Sequence, residues 1–191
     1  MGYLPELASH RDRSVRDTES VREFLKAGKV LKAGALKLPR RFSLRKQFPL
    51  IRNQGPMGAC VAFSVVALCE FFIARLYKKA FRGSPMFVYK AGRDDLGWSG
   101  DTGLYVRSGM GAATTYGIPS EKRWPYLASS LDKDPPARIW INAQMFQMTE
   151  YYRLDDAATS MTDLDLRIRA NLTANLPCVK GWPVYPSIEQ A

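Results

Sequence analysis

The pattern of apolar and polar residues predicts one long central helix in the first half of the chain. Residues 60–79 are apolar at most positions, and their charge is confined to Glu70 and to the last five positions. A helix that is apolar on most of its faces is buried on most of them. Ser84 and Pro85 then supply the N-cap and a first-turn residue of a second helix, predicted over residues 86–94.

A glycine-rich loop and a third helix follow. Residues 97–103 contain three glycines and no apolar pattern that would anchor them. They lead into a helix predicted over residues 104–116, which Gly117 closes as a C-terminal glycine commonly does.

The last third of the chain has a different pattern. Runs of β-branched and aromatic residues predict short strands at 139–141, 151–154 and 177–185. Thr162 and Asp165 have the spacing of a capping box and predict a helix through Asn175. The predicted parts of the chain are a basic extension at 1–38, a helical half at 39–128 and the start of a β-rich half at 129–191.

Candidate chemistry is concentrated in residues 53–64, which read Asn-Gln-Gly-Pro-Met-Gly-Ala-Cys-Val-Ala-Phe-Ser. Cys60 would stand at the start of the long helix, where unpaired N–H groups and the helix dipole favour the negative charge of a thiolate. Its backbone N–H and the Gln54 side-chain amide would both donate to the oxygen of a carbonyl under attack. This pattern favours a thiol nucleophile over the simpler interpretation, in which Cys60 is a small buried hydrophobe.

The same segment resembles the active-site segment of papain-like cysteine peptidases, whose usual form is Gln-Gly-x-Cys-Gly-Ser-Cys-Trp-Ala-Phe-Ser. Cys60 matches the second cysteine, and Ala-Phe-Ser follows soon after it in both. Met57, Ala59 and Val61 replace the first cysteine, the serine and the tryptophan. Further likenesses to the family lie at 38–45, 84–89 and 116–126.

The resemblance implies an α+β fold with a helical half around the Cys60 helix and an incomplete antiparallel β half. It also implies peptide-bond hydrolysis through a thioester acyl-enzyme, with Cys60 as nucleophile and Gln54 as oxyanion donor. In the family, glycines before the third helix pair with the substrate backbone, so Gly100 and Gly103 are candidate substrate-binding residues. The implied partner is a peptide or protein substrate, and no cofactor is expected.

The remainder of a papain-like site is not visible in the sequence. Such a nucleophile needs a histidine to accept its proton and an asparagine to orient that imidazole. The family places them roughly 130–150 residues after the cysteine, whereas the only histidine here, His10, precedes Cys60. We therefore expect a chain truncated before the catalytic histidine and asparagine, and inactive as it stands. The alternative is a non-catalytic papain-like protein that binds peptides along its glycine loop.

Composition and charge narrow the possible partners. The net charge is +10, and residues 1–50 contribute +7 of it, with 12 Lys and Arg against 5 Asp and Glu. No nucleic-acid-binding pattern accompanies this charge, so we expect it to aid solubility, and an anion or nucleic-acid binder is the weaker hypothesis. Three cysteines argue against a disulfide framework, and no cluster has the spacing of metal ligands. We expect no membrane span. Without a visible signal peptide, we expect either a cytoplasmic location or a leader that is not included in this sequence.

Overall fold

The computed structural model describes residues 4–6, 9, 12–14, 38–48, 51–155 and 159–182 of the 191-residue chain. These residues contain five α-helices, numbered here in chain order. They are α1 (Cys60–Tyr77), α2 (Pro85–Asp94), α3 (Val106–Thr115), α4 (Ala137–Gln144) and α5 (Met161–Thr173). Single 3-10 turns lie at Arg45–Gln47 and Ala128–Ser130. The extension predicted over 1–38 falls largely outside the described residues.

The chain divides into two compact units. The first comprises residues 1–6, 50–147 and 179–191 and contains α1 to α4. The second comprises residues 7–49 and 148–178 and contains α5. All the site residues predicted from the sequence belong to the first unit.

The predicted central helix is α1, and α2 and α3 pack against it and against each other. Gly109 of α3 permits this close approach, because an added Cβ would lie 3.0 Å from Val61 and 3.3 Å from Val65 of α1. By length and composition alone α1 could also cross a membrane, but half of that window is buried within the protein. Its apolar surface is therefore explained by its place in the core.

Ser84 caps α2 as the sequence predicts. Its Oγ accepts a hydrogen bond from the Phe87 N–H at 3.1 Å and donates one to the Trp124 carbonyl at 2.6 Å. A proline occupies the first turn of α2, where no backbone N–H is needed. The third helix is shorter than predicted, because the backbone at Tyr105 is extended and α3 begins only at Val106.

The strand predicted at 139–141 is wrong, because this segment lies inside α4. Ile139 and Ala143 are buried one helical turn apart, whereas Ile141 between them is 67% exposed. In a strand, residues 139 and 141 would share a face. The burial therefore follows a helical period, which a three-residue apolar run is too short to reveal.

The other predicted strands are also not formed within the described residues. In the segment 151–154, only Arg153 pairs, in an isolated bridge to Ser14. The described backbone at 177–182 forms no strand either, and 183–185 lie outside the described residues. An isolated bridge is a single pairing and not a ladder. A run of β-branched and aromatic residues therefore does not by itself produce a strand.

The helix predicted near the end of the chain is α5, but its cap is different. Ser160, and not Thr162, stands at the N-cap, and its Oγ accepts a hydrogen bond from the Asp163 N–H at 3.1 Å. The helix ends at Thr173, two residues before the predicted Asn175.

Candidate active site

The candidate nucleophile, Cys60, is the first residue of α1. Ala59 stands at the N-cap, and no side chain of the described structure caps this end of the helix. The first turn also contains no acidic residue, and Cys60 itself is half-buried. A helix start without a side-chain cap keeps its first N–H groups as donors for a nearby negative charge. This is the setting that the proposed thiolate and oxyanion chemistry requires.

Gln54 lies in the loop that leads to Cys60. Its side-chain amide donates to the Met57 carbonyl at 2.9 Å, in a turn where Gly55 has a φ of 63°. Its backbone carbonyl accepts a hydrogen bond from the Tyr126 hydroxyl at 2.9 Å. A primary amide has two N–H donors, so the bond to Met57 leaves one for a ligand. The predicted role as an oxyanion donor needs that second N–H.

Tyr126 fixes this loop to α1. Its ring packs edge-on against Phe63, with the ring centroids 4.7 Å apart. Burial and the charge of Asp101 raise the pKa of Tyr126 to about 12. The hydroxyl therefore stays protonated at neutral pH and remains a donor to the Gln54 carbonyl.

A buried ion pair also anchors the start of this loop. The Arg52 guanidinium lies 2.8 Å from Glu70 and donates to the Gly83 carbonyl at 3.0 Å. The same carboxylate accepts a hydrogen bond from the Gly83 N–H at 2.8 Å. Burial raises the pKa of Glu70, while the Gly83 N–H and the Arg52 charge act in the opposite direction. Because Arg52 lies two residues before Gln54, this pair fixes the start of the loop at residues 53–59, which leads to Cys60 and is called the active-site loop after the candidate site.

Asp101 connects the active-site loop with the glycine-rich loop. Its carboxylate accepts the Gly58 N–H at 2.9 Å and 3.0 Å, one distance to each oxygen. It also accepts the Tyr89 hydroxyl at 2.6 Å, and that hydroxyl accepts the Gly103 N–H at 2.9 Å. Burial and then the hydrogen bond to Asp101 raise the pKa of Tyr89. One carboxylate thus joins the residue two positions before Cys60 to a predicted substrate-binding glycine.

The two candidate glycines both have left-handed backbones, with φ values of 76° at Gly100 and 80° at Gly103. The Gly100 N–H donates to Asp132, and its carbonyl accepts a bond from Arg93, a fully buried side chain. Gly103 is bonded through its N–H to Tyr89. Pairing of either N–H with a substrate backbone would therefore replace a bond within the protein. Gly103 is directly linked to the Asp101 network, whereas Gly100 is held by a separate one.

The other thiols lie in different surroundings. Cys69 is 1% exposed, and burial together with the charge of Glu70 raises its pKa to about 12. Cys178 is half-buried in the second unit. Within the described part of the chain, no group of His, Cys, Asp or Glu residues is arranged to hold a metal ion.

Sequence reasoning missed the side chains that hold the site together. Glu70 did carry a signal, because a single acid in the middle of an otherwise apolar helix needs a buried partner. Tyr89 and Tyr126 lie in segments that resemble the family, but their sequence context does not specify what their hydroxyls bind. Asp101 gave no signal apart from its place in a glycine-rich loop.

Comparison with known proteins gives the fold a class. No protein-family model matches the chain. The structure is similar to xylellain, a cysteine protease from Xylella fastidiosa, with a TM-score of 0.67 and 25% identity over 90% of this chain and 62% of that one. It is also similar in fold to procathepsin L 3 of the Tenebrio molitor larval midgut, with a TM-score of 0.57 and 18% identity, over 73% of this chain and 43% of that one.

A sequence relative agrees with these structures. An uncharacterised peptidase C1-like protein of Acanthamoeba polyphaga mimivirus is 27% identical over an alignment 154 residues long, which covers 76% of this chain and 50% of that protein. The chain therefore has the papain-like fold, and its resemblance to papain-like cysteine peptidases is confirmed. The chain spans about half the length of this curated relative.

Proposed function

We propose that this chain carries the nucleophile-bearing half of a papain-like cysteine peptidase and acts on peptide or protein substrates. The observation that supports this most is Cys60 at the uncapped start of α1, in a fold shared with cysteine proteases. Gln54 is held in the adjoining loop by Tyr126 and keeps a second amide N–H for a ligand. These are the two residues that the proposed chemistry assigns to attack and to oxyanion binding.

The proposed reaction begins when the Cys60 sulfur attacks the carbonyl carbon of a peptide bond. A carbon–sulfur bond forms, and the carbonyl oxygen becomes an oxyanion that accepts hydrogen bonds from the Gln54 amide and the Cys60 N–H. The carbon–nitrogen bond then breaks, and the amine leaves with a proton. Water attacks the resulting thioester, which releases the acid and restores the thiol.

The proton transfers in this scheme need a general acid–base group, a role worth typically 10²–10⁴-fold in rate. Residues 11–191 contain no histidine. The proposal therefore assigns the nucleophile and one oxyanion donor and leaves the imidazole role unassigned. We expect the 191-residue chain to form a covalent bond slowly at Cys60 and not to turn over a peptide.

The test is covalent labelling by a dipeptidyl vinyl sulfone, whose electrophile would sit where the scissile carbonyl sits. Methyl vinyl sulfone, which has no peptide, is the matched reagent, and peptide mass spectrometry reports the rate at each cysteine. We expect the peptide to accelerate labelling of Cys60 but not of Cys178. Cys60→Ala should abolish the accelerated reaction. Equal Cys60 rates with both reagents would contradict peptide recognition at this site.

A second candidate is a papain-like protein that binds peptides without cleaving them, because residues 11–191 by themselves supply no imidazole to Cys60. Turnover separates the two. Release of a fluorogenic amine from a peptide substrate, lost in Cys60→Ala, supports the peptidase. Peptide-accelerated labelling without any release supports the binding protein.

A further inference from the structure

Asp101 is an exposed carboxylate whose bonding capacity is not exhausted. Its two oxygens share the Gly58 N–H, and only one of them also accepts the Tyr89 hydroxyl. A carboxylate can accept about four hydrogen bonds, so the other oxygen retains acceptor capacity toward solvent. The carboxylate thus has structural partners but also presents a negative charge at the surface.

No cation in the described part of the chain forms an ion pair with this carboxylate. A cation does lie against Tyr89, the hydroxyl donor to Asp101: the Arg93 guanidinium is 4.4 Å from the centre of the Tyr89 ring. Arg93 is itself paired with Asp132 at 2.8 Å and bonded to three backbone carbonyls. Its charge is therefore already balanced by a different carboxylate.

Asp101 interacts with residues on both sides of Cys60 in the sequence. Its charge contributes to raising the pKa of Tyr126, the residue whose hydroxyl donates to the Gln54 carbonyl. It also bonds directly to Gly58 and, through Tyr89, to Gly103. A peptide placed with its carbonyl near Cys60 and its backbone along Gly103 would pass this charge.

We propose that Asp101 gives the site a preference for substrates with a cationic side chain, lysine or arginine, beside the reacting carbonyl. This inference rests on the proposed function, because it assumes that a peptide is bound with its carbonyl at Cys60. The electrostatic argument is independent of which residue later serves as the base. A single exposed carboxylate gives a modest preference, roughly two- to fivefold in rate, as exposed ion pairs do.

The experiment compares two dipeptidyl vinyl sulfones that differ only at the residue beside the electrophile, lysine in one and norleucine in the other. The two side chains have similar lengths, and only lysine is charged. We expect Cys60 to be labelled two to five times faster by the lysine reagent at low ionic strength. The preference should shrink in concentrated salt, which screens exposed charges.

Variants then assign the preference to Asp101. Asp101→Asn removes the charge but keeps an acceptor for the Gly58 N–H, and it should bring the two rates together. Asp101→Glu keeps the charge and should retain a preference for lysine. Asp95→Asn is the matched control, because Asp95 also accepts a tyrosine hydroxyl at 2.6 Å, from Tyr116, outside this network. It should leave the ratio of rates unchanged.

The outcomes separate this inference from the proposed function. If both peptide reagents label Cys60 faster than methyl vinyl sulfone, but at equal rates, the inference is overturned and peptide recognition survives. If neither peptide reagent outpaces methyl vinyl sulfone, the proposed function fails and this inference fails with it. A lysine preference that persists in Asp101→Asn would also overturn the assignment. Loss of the preference in Asp101→Glu would do the same.

Discussion

The two halves of α1 hold the same kind of side chain in different surroundings. Cys60 is half-buried at the uncapped first turn, whereas Cys69 is 1% exposed in the core. Burial and the charge of Glu70 raise the pKa of Cys69 to about 12. The element and the residue type are the same, so the position of each thiol along the helix decides the chemistry available to it.

Residues of α1 also position the loop that leads to Cys60. Glu70, beside Cys69, binds Arg52, and Arg52 lies two residues before Gln54 in the active-site loop. Phe63, in the first turn, packs against Tyr126, whose hydroxyl holds the Gln54 carbonyl. The comparison therefore predicts that changes in the core half act on the stability of the site, while changes at the start act on its chemistry.

The largest expected difference between the two halves is in thiol labelling. A thiol with a pKa of about 12 is ionised in roughly one molecule in 10⁴ near pH 8, and Cys69 is also inaccessible. We expect iodoacetamide to modify Cys60 in the folded protein and to leave Cys69 unmodified, as measured by peptide mass spectrometry. In concentrated urea both should react. Comparable labelling of the two thiols in the folded protein would remove the basis of the comparison.

The next largest effect should follow from breaking the buried ion pair. Arg52→Ala leaves Glu70, whose side chain is 3% exposed, without its cation. Removing one partner of a buried pair typically costs about 3–5 kcal/mol, and we expect a loss of that order in the free energy of unfolding by urea.

The matched control for this change is Arg169→Ala. Arg169 pairs with Asp165 on α5, and both side chains are largely exposed. A surface pair of this kind contributes about 0–1 kcal/mol. Similar losses of unfolding free energy in the two variants would show that the buried Arg52–Glu70 pair stabilises the protein no more than a surface pair does.

A smaller effect tests the packing of the first turn against α3. Gly109→Ala would place a Cβ 3.0 Å from Val61 and 3.3 Å from Val65. Overpacking of this kind costs about 1–3 kcal/mol. Gly111→Ala on the same helix meets nothing within 4 Å, and it should stabilise by up to about 1 kcal/mol through helix propensity. Urea unfolding of the two variants should therefore shift in opposite directions, and a shift of the same sign in both would contradict the packing argument.

The features of the first unit that the sequence predicts are the ones with local causes. The start of α1 at Cys60 follows from the change from a glycine-rich loop to an apolar run, and the α2 cap follows from a serine before a proline. The strand prediction at 139–141 was wrong because the helical period of α4 emerges only over residues 139–143, where packing decides which residues are buried. Trp140 in that helix packs against Phe87 of α2, a contact that no local pattern specifies.

The polar part of the site was beyond prediction for a related reason. Asp101 and Gly58 are far apart in the sequence, and their bond involves a backbone N–H, which any residue at position 58 except proline would offer. No pattern of residue types marks such a pair. The Arg52–Glu70 pair, in contrast, joins two charged side chains, and the isolated acid in an apolar helix was a detectable sign of it.

The smallest expected effect concerns the pH dependence that Glu70 gives to stability. Burial raises the pKa of Glu70 in the folded state, against the Gly83 N–H and the Arg52 charge, so the folded protein holds this proton more tightly than the unfolded chain does. The stabilisation of the folded protein by this more tightly held proton is then fully present below the unfolded pKa of about 4.3. It is lost as pH rises through the higher folded pKa. The glutamine side chain of Glu70→Gln does not titrate in this pH range. Urea unfolding from about pH 4 to pH 7 should therefore show the variant gaining stability relative to the original protein as pH rises. A constant difference, or a relative loss in the variant, would mean that Arg52 and the Gly83 N–H outweigh burial at this carboxyl.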